Sequence, residues 1–148
     1  MTNTKTCYLD SNALVYLKDI SAEQHGECVS VITNLITEGY NLYISPLGID
    51  EFLYVVYFTL RKNKSKAVIK ELKNALSSIL SLPMLTIINP PLEKSSQVKA
   101  IEYMERFSLR PRDAYHLLIM KQHKINNFLT FDSDFDKVFN SGSVKRIK

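Results

Sequence analysis

The stretch FLTFDSDFD (128–136) is an apolar run that breaks into three aspartates within five positions. It reads as a buried strand whose C-terminal end is crowded with carboxylates. Two explanations compete for Asp132. It starts the next helix, as aspartate commonly does, or it supplies one ligand of a metal site whose other ligands lie far away in sequence. What the rest of the chain builds around this strand decides between them.

Working outward, short apolar runs alternate with helical patterns. TCYL (6–9) ends on Asp10 and is followed by the helical SNALVYLKD (11–19). Ser21 and Gln24 form a capping-box pair that predicts a helix through about Glu38, with Gly39 placed to stop it. NLYIS (41–45) predicts a strand, and Pro46 suits the first turn of a helix that runs to about Lys62. Ser65 caps a predicted helix over 66–81, in which Val68, Ile69, Leu72, Leu76, Ile79 and Leu80 recur at helical spacing. LTII (85–88) is a strand closed by Asn89-Pro90-Pro91. Helices follow over about 92–107 and 111–124, then the strand at 127–131, a short helix over 133–139 and a last strand over 143–147. Continuous apolar strands alternating with helices predict an α/β fold: a Rossmann-like, mostly parallel sheet of about five strands covered on both faces. No repeat or linker interrupts it, so residues 1–148 are expected to form a single domain.

Composition narrows the function. Hydrophobic residues make up 45% and charged residues 23%, an ordinary globular balance that argues against disorder. Cys7 and Cys28 are the two cysteines, without a CxxC or a His-rich tract, which argues against a disulfide scaffold or a structural zinc site. The start, MTNTKTCYLD, lacks the layout of a signal peptide. The most apolar stretch, Phe52 to Leu60, is nine residues long, about half of what a bilayer requires. A soluble, cytoplasmic protein is expected. The net charge is +4, with Arg61, Lys62, Lys64, Lys66, Lys70 and Lys73 facing one acid, Glu71, and with Lys145, Arg146 and Lys148 in the tail. Such clusters permit contact with nucleic-acid phosphate, although a solvated helix face has the same composition.

In parallel α/β folds, ligands bind beyond the C-terminal ends of the strands. Asp10 directly follows the first strand and Asp132 the fourth, so neighbouring strands would bring them together. Taken singly, Asp10 and Asp132 are explained by capping, and Asp113 by the helix dipole in the first turn of PRDAYHLLIMKQHK (111–124). Glu51 is harder to explain. It lies past the first turn of PLGIDEFLYVVYFTL (46–60), in a helix apolar nearly all round, with no lysine or arginine one turn away. A buried carboxylate there needs a positive partner, either a distant salt bridge or a cation shared with other acids, and the cation is the better account. Converging acids repel one another and a divalent ion relieves the repulsion. Oxygen-only ligands select Mg²⁺ or Mn²⁺. Such an ion supplies the Lewis-acid chemistry of phosphodiester hydrolysis.

At these residues the chain resembles PIN-domain proteins, most closely the VapC-like toxin ribonucleases of toxin–antitoxin pairs. The resemblance rests on YLDSNAL (8–14), IDEFLYV (49–55), RPRDAYHLLIM (110–120) and FLTFDSDF (128–135) and spans essentially the whole chain. It implies that Asp10, Glu51, Asp113 and Asp132 are the catalytic acids, of which Asp10, Asp113 and Asp132 hold the metal. Ser11, Asn12 and Thr130 match positions beside the first and fourth acids. It further implies a Mg²⁺- or Mn²⁺-dependent endoribonuclease, a cognate antitoxin protein and a homodimer. Asp134 is a candidate to share the role of Asp132, and Asp136 is expected to face solvent.

Other residues carry less. His116, three positions after Asp113, is a satisfied core histidine or a phosphate contact, and the core reading is preferred. Arg110 and Arg112 are phosphate clamps or inert surface arginines. Two rivals to the nuclease stand: a catalytically inactive PIN-fold module that binds RNA or a partner, and an aspartyl-phosphate phosphatase. The phosphatase would want a second Asp two positions after the first, where this chain has Asn12.

Overall fold

The computed structural model describes residues 5–148. The first four residues of the stretch read for a signal peptide therefore lie outside the described residues. The chain runs β1 (Thr6–Leu9), α1 (Ser11–Lys18), α2 (His25–Thr37), β2 (Asn41–Ile44), α3 (Pro46–Lys62), α4 (Val68–Leu80) and β3 (Leu85–Ile87). It continues through α5 (Lys94–Phe107), α6 (Pro111–Gln122), β4 (Asn127–Leu129), a 3₁₀ turn (Ser133–Phe135), α7 (Asp136–Asn140) and β5 (Lys145–Arg146). The five strands form one sheet in the order β3-β2-β1-β4-β5, and every pairing is parallel.

That order has a consequence for ligands. From β1 the chain steps outward to β2 and β3, then returns to place β4 on the other side of β1. Between β1 and β4 the direction of winding reverses, which is the kind of position at which open parallel sheets leave a crevice. The register pairs Tyr8 with Phe128 and Leu9 with Leu129, so the next residues, Asp10 and Thr130, leave the sheet side by side.

Alternation along the strands builds two cores. Tyr8 and Phe128 point to one face, where Leu117, Met120, Phe135 and Val138 bury them. Cys7, Leu9, Leu42, Ile44 and Leu129 point to the other, against Ala13, Leu14, Ile32 and Phe52. Phe128 is fully buried, and truncating it to Ala would cost about 3–5 kcal/mol. Both cysteines are buried free thiols. Among the described residues no helix is long and apolar enough to cross a membrane.

Several boundaries differ from the sequence reading. The capping box at Ser21 does not open a helix, because Asp19 takes both the backbone N–H (3.0 Å) and the hydroxyl (2.6 Å) of Ser21, and α2 starts at His25. Ser65 likewise forms a local turn, donating to Glu71 and accepting from Ala67, ahead of a helix that starts at Val68. Ser45 does cap α3, its hydroxyl accepting from the Gly48 N–H at 3.2 Å. The last two strands are shorter than expected, and the helix after β4 starts as a 3₁₀ turn. α3, apolar nearly all round, packs Leu47 into one core and Ile49, Phe52, Leu53 and Val56 into the other, but over its middle Tyr54 and Phe58 are 61% and 51% exposed.

Candidate metal centre

Asp10 is the base of the site. It ends β1 in an extended conformation and caps α1, its Oδ1 accepting from the Ser11 N–H at 2.7 Å. Capping leaves Oδ2 to face β4, where the Thr130 hydroxyl donates to it at 2.7 Å and the Asn12 amide at 3.3 Å. Thr130 Oγ1 in turn accepts from Asn12 Nδ2 and from the Asp132 N–H, each at 3.1 Å, and Asn12 Oδ1 accepts from the Phe131 N–H at 3.2 Å. The hydroxyl thus uses its one donor and both acceptor sites. These bonds lock the turn after β1 to the turn after β4.

Asp132 stands at the second of those turns. Its Oδ1 accepts from the Asp134 N–H at 3.0 Å, the capping role that its sequence position suggested. Arg146 holds the same turn from the side of β5. Its guanidinium donates to the carbonyls of Thr130 and Asp132, both at 3.3 Å, and to Asp136 Oδ1 at 2.7 Å, and lies 4.5 Å from the centre of the Phe139 ring. Read in the sequence as part of a basic tail, Arg146 is instead engaged with the protein. No spacing signal announced this; the pairing of Arg146 with Phe128 across β4 and β5 creates it.

Glu51 comes from α3 and Asp113 from α6. Glu51 lies in the second turn of α3 and pairs with His116 Nε2 of α6. Of the two partners that the sequence left open for Glu51, a distant ion-pair partner is therefore present, and it is a histidine. Asp113 is in the first turn of α6, one turn before His116. Ligand atoms of Asp10, Glu51 and His116 lie within 4.8 Å of one another. Asp113 and Asp132 fall outside that tight group. Even so, burial and the fields of Asp10 and Asp132 push the Asp113 carboxyl up to about 6, with Asp134 adding to the effect. Asp134 and Asp136 are both exposed, and Asp136 meets Arg146.

Burial also raises Asp10, although His116 and the Thr130 and Ser11 hydrogen bonds oppose it. His116 is completely buried, which works against its charged form. The bond to Glu51 and the fields of Asp10, Glu51 and Asp113 outweigh that and hold its pKa above the ordinary value. Both of its nitrogens are occupied, Nδ1 by Tyr8 Oη at 2.7 Å and Nε2 by Glu51. It is the satisfied core histidine of the sequence reading, with no nitrogen left for a phosphate. Arg110 and Arg112 are exposed at the start of α6.

The donor set suits a hard divalent cation: carboxylate oxygens from a strand end, two helices and a second strand end, repelling one another without a lysine or arginine among them. His116 cannot serve as a ligand without giving up Glu51 or Tyr8.

The site lies at the winding reversal of an all-parallel α/β sheet, with Asp10 at the end of β1 and Asp132 after β4. The PIN domain family model matches residues 7–139, and the chain belongs to that family. It is 26% identical over 145 residues to Ribonuclease VapC6 of Methanocaldococcus jannaschii, covering 88% of this chain and 91% of that protein. Among solved structures it resembles VapC20 of Mycobacterium tuberculosis, a toxin that cleaves the sarcin–ricin loop, with a TM-score of 0.62 and 16% identity over 89% of this chain and 94% of that one. It also resembles VapBC2 of Rickettsia felis, solved with a DNA fragment of its promoter, with a TM-score of 0.66 and 16% identity over 97% and 99% of the two chains.

Proposed function

We propose that the chain is a divalent-metal-dependent endoribonuclease, the toxin of a toxin–antitoxin pair. What supports this reading is the tight group of Asp10 and Glu51 with His116 beyond the C-terminal end of β1, together with the fields of Asp10 and Asp132 that reach Asp113. The PIN family and the ribonuclease and toxin names of its relatives support it. Residues 1–148 act as one unit in this account, both cores sharing a single sheet.

Asp10, Asp113 and Asp132 would hold the ion, and Mg²⁺ or Mn²⁺ fits their all-oxygen chemistry. When bound, it supplies Lewis-acid activation of the phosphoryl group and of water. The chain's own residues do the rest. Asp10 is fixed by Thr130 and Asn12, Asp132 by its own turn and by Arg146, and Glu51 would complete the cage or orient the attacking water. The exposed basic run from Arg61 to Lys73 draws in the RNA backbone. The partner of such a toxin is a cognate antitoxin protein, as in the toxin–antitoxin complexes that the chain resembles.

The test is incubation of purified protein with single-stranded RNA, with Mn²⁺, with Mg²⁺ and with chelator. Scission that appears with metal and stops with chelator is expected. RNA bound but left whole under every condition would favour the non-catalytic binding module instead.

A further inference from the structure

A line of hydrogen bonds runs from the start of α3 through the centre of the molecule to Glu51. The Gly48 N–H donates to Ser45 Oγ at 3.2 Å, Ser45 Oγ meets Tyr8 Oη at 2.6 Å, and Tyr8 Oη meets His116 Nδ1 at 2.7 Å. His116 Nε2 then meets Glu51 Oε1. Ser45, Tyr8 and His116 are all completely buried, whereas the Glu51 side chain keeps 17% of its surface open. The line therefore joins β1, α3 and α6 and opens only at its carboxylate end.

The donor inventory gives the line a direction. With a neutral imidazole, the Gly48 N–H donates to Ser45, Ser45 to Tyr8 and Tyr8 to Nδ1, which leaves the proton on Nε2 facing Glu51. With an imidazolium, Nδ1–H donates back towards Tyr8 and Nε2–H still faces Glu51. Either way the carboxylate meets a donor whose position is fixed by three buried side chains. Oε1 is thereby taken, and Oε2 has no protein partner among the described residues. A glutamate free to turn about three torsions is held in one setting with one oxygen available.

We propose that His116, Tyr8 and Ser45 are positioning residues that aim Glu51 Oε2 at the metal centre. This rests on the ribonuclease reading above. Groups that orient a ligand from behind cost about 10–100-fold in metal affinity or activity when removed, and a buried polar line that ends on a part-open acid has that form.

The experiment compares wild type with Tyr8→Phe, His116→Gln and His116→Asn. It reads Mn²⁺ affinity by calorimetry, kcat and KM on single-stranded RNA, and thermal unfolding to report the fold. Tyr8→Phe removes only the hydroxyl. It is expected to weaken Mn²⁺ binding and kcat by about 10-fold with KM unchanged, since none of these groups touches RNA. The Gln amide reaches the place of Nε2 and still donates to Glu51, whereas the Asn amide reaches only that of Nδ1. His116→Gln is thus expected to recover most of what His116→Asn loses. If Tyr8→Phe does not fold, the His116 pair carries the comparison. Wild-type Mn²⁺ affinity and kcat in Tyr8→Phe or in His116→Asn, or a Gln variant no better than Asn, overturns the proposal while leaving the nuclease in place. A wild type that neither binds Mn²⁺ nor cuts RNA overturns the ribonuclease reading, and the proposal with it.

Discussion

The Thr130 hydroxyl donates to Asp10 Oδ2 at 2.7 Å, joining residues 120 positions apart at the tips of two adjacent parallel strands. Thr130 is 3% exposed and also accepts from Asn12 and from the Asp132 backbone. Thr130→Val keeps the shape and leaves three polar groups short of a partner, at a cost of about 1–3 kcal/mol. Urea unfolding is expected to show that loss, and Thr130→Ser to recover most of it. A Val variant as stable as wild type would mean that the bond contributes nothing net.

The Asp113 carboxyl, pushed up to about 6, makes stability depend on pH. Between about 4 and 6 the folded chain holds a proton that the unfolded chain has released, so the contribution of Asp113 to stability falls as pH rises through that window. Above it the penalty is complete, about 1 kcal/mol once the half-open setting is allowed for. Asp113→Asn removes the penalty. Unfolding curves are expected to show the variant more stable than wild type at neutral pH and equal to it at the acid end of the window.

Arg146 ties the turn that carries Asp132 to β5 and to Phe139. Lysine cannot reproduce a planar fork that reaches two carbonyls and a carboxylate. Arg146→Lys is expected to lose about 1 kcal/mol of stability and to speed amide exchange over residues 131–136. Unchanged exchange there would remove Arg146 from the account of the site.

The lysines at 62, 64, 66 and 70 are exposed and lie at the end of α3, in the following turn and at the start of α4. If RNA phosphates meet them, Lys64→Glu with Lys66→Glu weakens RNA binding and flattens its salt dependence by about 0.7 per lost contact. The same salt slope in wild type and variant would place the RNA elsewhere.

Much of this was legible in the sequence, for identifiable reasons. Apolar runs such as TCYL and NLYI are fully or partly buried strands, and the turns that follow β1 and β4 are joined because those strands are neighbours, Thr130 donating to Asp10. The readings that depended on one side chain choosing among local partners were less secure. Ser21 has the spacing of a cap, yet Asp19 is nearer and takes its hydroxyl. Glu51 was recognised as needing a partner, but the partner is 65 positions away on α6 and only the packing of α3 against α6 supplies it. The polar line through Ser45 and Tyr8 left no periodic trace, because its members are divided among β1, α6 and the cap and first two turns of α3. The exposed ring face of α3 was misread since an apolar helix surface does not say whether it is covered.

The central claim is that converging carboxylates hold a divalent ion that makes this chain cut RNA. The most direct measurement sets wild type beside Asp113→Asn on single-stranded RNA, with Mn²⁺ and with chelator, after unfolding curves have shown that both are folded. The account predicts metal-dependent scission by the wild type and its loss in a variant that is at least as stable. Equal cleavage by the two proteins would contradict it.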